Sequence, residues 1–76
     1  MKDVLNIWTV YKKGLEIFPD EHICRRYEIT EGQTGPTNDI LHSADLEEIR
    51  SQLRRWGLYQ MPRDMDDDPV IIESWI

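Results

Sequence analysis

The stretch Pro69-Val70-Ile71-Ile72-Glu73-Ser74-Trp75-Ile76 decides the fold. It is the most apolar run in the chain, and its β-branched and aromatic side chains favour an extended, half-buried strand. Chain ends are usually a few loose polar residues. A terminal run of this composition has to be buried, so the last strand is expected inside the core. Directly before it stands Asp64-Met65-Asp66-Asp67-Asp68, the only dense charge run.

Working outward, Leu5 to Lys12 is a second segment dominated by apolar and β-branched residues and reads as strand one. His22 to Thr30 reads as strand two, with Ile23, Arg25, Tyr27 and Ile29 on one face and Cys24, Arg26, Glu28 and Thr30 on the other. Between them, Leu15, Ile17 and Phe18 are too apolar for a solvated loop and are expected to fold over the core edge. Gly32 to Pro36 reads as a turn or flexible loop, and Asp39 to His42 as a short extended piece. Leu46, Ile49, Leu53 and Trp56 recur at helical spacing, with Asp45 as N-cap, Glu48 placed for a capping box, and Gly57-Leu58 as a Schellman close. Leu58 to Met61 is a further strand, stopped by Pro62. These elements predict a single α+β domain over residues 1–76, an antiparallel sheet of about four strands with one helix packed on one face. The expected strand order is second, first, last, penultimate.

Bulk properties narrow the function classes. The chain has 76 residues, which leaves no room for a deep cleft beside a separate scaffold. Its one cysteine, Cys24, excludes an internal disulfide and suits a reducing compartment, so a cytoplasmic location is expected. No leader peptide is legible, and no apolar run approaches the roughly 20 residues of a membrane span. The formal net charge is −6, concentrated in Asp64, Asp66, Asp67, Asp68 and Glu73. Such a chain does not favour nonspecific binding to nucleic acid or anionic lipid.

Trp8-Thr9-Val10-Tyr11, Cys24-Arg25-Arg26, Pro36-Thr37-Asn38-Asp39-Ile40, Leu46-Glu47-Glu48-Ile49-Arg50, Gly57-Leu58, Pro62-Arg63 and Asp67 to Ile76 together form a pattern spanning nearly the whole chain. In it the sequence resembles a family of short bacterial proteins of unknown function, the Asp-Asp-Pro ending being the most specific part. The resemblance implies a small bacterial α+β protein. It implies no activity, cofactor or catalytic residue.

Four constellations are candidate sites. Asp64, Asp66 and Asp68 have the alternate spacing that opens a calcium loop, since hard cations need several carboxylate oxygens. Pro69 then stands where the loop's glycine belongs, and Trp75 where its bidentate glutamate belongs. A charged turn whose aspartates cap backbone amides accounts for them more simply. His22, Cys24 and His42 lack the paired spacing of a zinc site. Arg25, Arg26, Arg50, Arg54 and Arg55 would form a basic patch for nucleic acid if they converged; pairing within the helix, such as Glu47 with Arg50, competes. No phosphate loop, nucleophile elbow or His-Glu-x-x-His motif is present, so no catalytic residue and no cofactor is expected.

The sharper expectation comes from the sheet. Strand one carries large apolar groups on both faces, and so does the last strand, whereas one helix covers only one face. Either the chain's own Leu15-Ile17-Phe18 segment covers the second face, or a partner does, as a homodimer or a heterologous contact. The face with two tryptophans, Trp8, Val10, Ile71 and Trp75, is expected to be the interface, because large aromatics dominate interface energetics. The leading reading is a small non-catalytic interaction module. A ligand- or divalent-metal-binding protein using the 64–68 turn is the alternative, and nucleic acid contact through the arginines a weaker one.

Overall fold

The computed structural model describes residues 4–15 and 18–76. The element order is β1 (Leu5–Tyr11), β2 (His22–Thr30), β3 (Gln33–Ser43), α1 (Leu46–Arg55), β4 (Gln60–Met61) and β5 (Ile71–Trp75). All strands pair antiparallel in one five-stranded sheet of order β3-β2-β1-β5-β4. The expected order is thus present, with β3 added at one edge.

The extended piece expected at Asp39 to His42 is the end of β3, whose first half the sequence conceals. Gly32, at φ 76°, closes a two-residue turn that pairs Thr30 with Gln33, so the expected flexible loop is in fact the start of an eleven-residue strand. Gly35 and Pro36 survive in it because β3 is an edge strand, where a missing N–H costs no ladder bond. The pairing then steps from Arg25↔Ile40 to Tyr27↔Pro36, a bulge that gives β3 extra residues. Thr37 Oγ1 uses the slack to donate to the Arg26 carbonyl at 2.7 Å.

A second bulge sorts the last strand. Val10 pairs with Glu73, but Tyr11 pairs with Ile71, so Ile72 is skipped. Strict alternation would place Ile71 beside Glu73 and Trp75. Instead Ile71 shares a face with Tyr11 and Ser74, while Ile72 packs against the core. That core is Trp8, Val10, Cys24, Ile49, Leu53 and Trp75, on the side of the sheet that α1 covers.

The helix ends match the expectation with one change. Asp45 Oδ1 accepts from Glu47 N–H at 3.0 Å. Glu48 does not reach back to the Asp45 backbone. It accepts from Ser43 Oγ–H at 2.8 Å, and the same Oγ accepts from Asp45 N–H at 3.0 Å, so the capping box runs through a serine relay. At the other end Gly57 has φ 77°, Leu58 N–H bonds to Leu53 O, and Gly57 N–H bonds to Arg54 O, which is the Schellman arrangement.

Candidate interaction face

The register places Leu5, Ile7, Thr9 and Tyr11 of β1 and Ile23, Arg25, Tyr27 and Ile29 of β2 on the face opposite the helix. Across its middle lie two tyrosines. Tyr11 and Tyr27 start on neighbouring strands, and their hydroxyls meet at 2.5 Å. Ile7, Thr9, Tyr11, Tyr27, Ile29, Thr34, Asp67, Ile71 and Ser74 line an open groove of about 360 Å³ there. Thr9 is only 7 % exposed although no helix covers it. Burial, then the hydrogen bond with Tyr27 that holds the neutral phenol, raises the Tyr11 pKa well above its ordinary value.

Beyond the tyrosines, large apolar side chains are exposed. Leu5 is 50 % exposed, Tyr59 78 % and Ile76 40 %. Tyr59 and Ile76 exchange backbone hydrogen bonds, which extends the β4–β5 pairing past Trp75. Of the expected covering segment, Phe18 stacks on His42 with ring centroids 3.9 Å apart, and His42 is held to Glu21 at 2.5 Å. His42 pairs with Ile23 in the ladder, so this cover sits at the opposite end of the face from Leu5 and Ile29. Leu15 is half-buried, and Ile17 lies outside the described residues.

The face with two tryptophans is the other one. Trp8, Val10 and Trp75 are core beneath α1 and present no docking surface, while Ile71 lies on the open face because of the β5 bulge. The expected interface set is therefore split between the two sides.

The helix face holds a charged centre that sequence reasoning missed. Glu73 is 2 % exposed. Its carboxylate accepts from Arg50 Nη2 at 2.6 Å, from Arg50 Nε at 3.2 Å, and from the Trp75 indole N–H at 2.6 Å. Arg50 also reaches Glu47 at 2.9 Å, Arg54 reaches Glu47 at 3.4 Å, and the Arg54 guanidinium lies 5.8 Å from the Trp75 ring centroid. Hydrogen bonding to Glu73, then to Glu47, raises the Arg50 pKa; hydrogen bonding to Arg50 lowers that of Glu47. A carboxylate inside an apolar strand, facing a helix with an arginine in its middle turn, was the available signal.

The arginines do not converge into a basic patch. Arg25 is on the open face. Arg26, on the helix side of β2, binds Asp39 at 2.6 Å, Glu28 at 2.9 Å and Asn6 at 2.8 Å. Arg50 and Arg54 are taken by the carboxylates above, and Arg55 is exposed in the last helical turn.

The aspartate turn is occupied by its own groups. Asp67 accepts from Asp64 N–H, Asp64 from Asp66 N–H and Asp68 from Val70 N–H, each near 3 Å. The Arg63 guanidinium donates to the carbonyls of Asp64, Asp67 and Ile71. Asp64, Asp66 and Asp68 do not gather round a common point, and among the described residues no three His, Cys, Asp or Glu side chains do. His22 Nδ1–H donates to the Tyr11 carbonyl at 3.1 Å. Cys24 is fully buried, and burial, with the nearby Glu73 charge, pushes its thiol up to about 12.

No helix among the described residues is long and apolar enough to cross a membrane. No family model, no curated protein sequence and no solved structure matches the chain.

Proposed function

We propose that the chain is a small, non-catalytic interaction module of the cytoplasm, and that its partner surface is the open face of the sheet. One observation carries this reading: Leu5, Tyr59 and Ile76 stand exposed on the face that also holds Ile7 and Ile29, with no helix above them. Apolar groups clustered on one surface favour association, because contact removes that surface from water. The tyrosine groove beside them adds the amphipathic aromatic side chains that interfaces favour. A thiol held protonated in the core is compatible with a reducing compartment.

Amide chemical shifts test the reading. They are followed as the purified chain is concentrated, and again when a soluble extract of its source cells is added. Shifts or line broadening confined to Leu5, Ile7, Tyr27, Ile29 and Ile76 in either series support it. An open face that responds to neither overturns it.

A further inference from the structure

We infer that the partner on this face is a second copy of the chain, packed face to face about a twofold axis that sets Arg25 of each copy against the partner's Asp67. The inference rests on the reading above and adds the occupant. Two-fold pairing requires a surface complementary to itself, in which residue i meets residue j while j meets i. The open face meets that requirement. Arg25, on β2, pairs in register with Thr9 of β1; Thr9 pairs on its other side with Ser74 of β5. Asp67 lines the groove together with Ile71 and Ser74. One cation and one anion therefore flank β1 on opposite sides, with Ile7 and Tyr11 of β1 between them.

Neither charge has an ion-pair partner among the described residues, although Arg26, Arg50 and Arg54 all do. The Tyr11 phenol at the centre sits in the fields of both Arg25 and Asp68. A half-turn about an axis running along β1, in the plane of contact, exchanges the two sides of the face. It lays Arg25 over the partner's aspartate-rich side twice, and the apolar centres over each other. Two chains of net charge −6 repel at long range; the exchanged Arg25–Asp67 pairs put attraction where the acidic turn would otherwise meet an acidic neighbour. An arginine set opposite an aspartate-rich flank does not suit an anionic lipid or a nucleic acid backbone, which need several clustered cations.

Sedimentation equilibrium with charge-swapped chains tests this. The wild-type chain is expected to dimerise in the micromolar range, and Arg25→Asp and Asp67→Lys each to weaken self-association at least tenfold. An equimolar mixture of the two variants should recover the dimer, because each then offers the other its missing sign. Circular dichroism reports whether each variant is folded. If Asp67→Lys melts the turn, Asp67→Asn keeps an oxygen for the Asp64 N–H; it should weaken the dimer several-fold and flatten its salt dependence. A wild-type chain that stays monomeric, or an Arg25→Asp variant that dimerises undiminished, overturns the inference. A monomer whose open face still responds to cell extract removes the second copy and leaves the interaction module standing; a face silent in both series removes both.

Discussion

The two faces of this sheet are built from the same strands and solve burial differently. On the helix side, Trp8, Val10, Cys24 and Trp75 are sealed by Ile49 and Leu53, and the one charge among them, Glu73, is matched by Arg50 and the Trp75 indole. On the open side, the Tyr11 and Tyr27 hydroxyls meet and Thr9 is buried, but Leu5, Tyr59 and Ile76 are left to solvent. The difference teaches that stability and association are assigned to opposite sides. Substitutions on the first face should act on folding, and substitutions on the second on binding.

The largest expected effect is at Trp75. Trp75→Ala removes a buried ring and the indole N–H that helps to satisfy Glu73, and is expected to destabilise the chain by about 4 kcal/mol. Urea denaturation measures it; a loss below about 1 kcal/mol would place the folding burden elsewhere. That figure is large against the marginal stability of a small domain.

The next effect is a pH dependence of the helix face. The folded chain keeps the Cys24 proton to about pH 12, whereas an unfolded thiol loses it near 8.5 to 9. The folded state then binds more protons than the unfolded one, so stability falls as pH rises through this window, by about 1 kcal/mol per unit from this group. The raised Tyr11 phenol acts in the same direction at higher pH. Denaturation midpoints of the parent and of Cys24→Ala, compared between pH 8 and 11, isolate the thiol. The variant should be less stable at pH 8 and should show a shallower decline.

The smallest effect on stability is expected on the open face. Tyr59→Ser should change the unfolding free energy by less than about 0.5 kcal/mol, since the ring is mostly in solvent, while measurably weakening any association through this face. A Tyr59→Ser chain that unfolds early would blur the division between the faces.

How much of this was legible follows from which residues speak locally. The helix announced itself through Asp45, Gly57 and the spacing of Ile49 and Leu53, because caps and amphipathic periodicity are local properties. β1 and β5 were legible as strands, and their central place followed from apolar groups on both faces. Asp39 to His42 of β3 was legible as an extended piece, but its first half was hidden by Gly35 and Pro36, which signal a loop except at a sheet edge. The choice of face failed on one residue. Alternation puts Ile71 with Trp75, and a bulge is a property of two paired strands that neither strand shows by itself. The Glu73–Arg50 pair was hidden for a similar reason, its partners being 23 residues apart.

Arg63 has a consequence for how β5 begins. Its guanidinium ties together the carbonyls of Asp64, Asp67 and Ile71, on a tether only one residue from Asp64. The turn is thus closed by a side chain of its own, through carbonyls and not through its carboxylates. The shape of the turn, and the register in which β5 is delivered to the sheet, are braced by these three contacts. The contact to the Ile71 carbonyl falls at the step where Ile71 is sorted outward and Ile72 inward, so one side chain links the turn to the bulge.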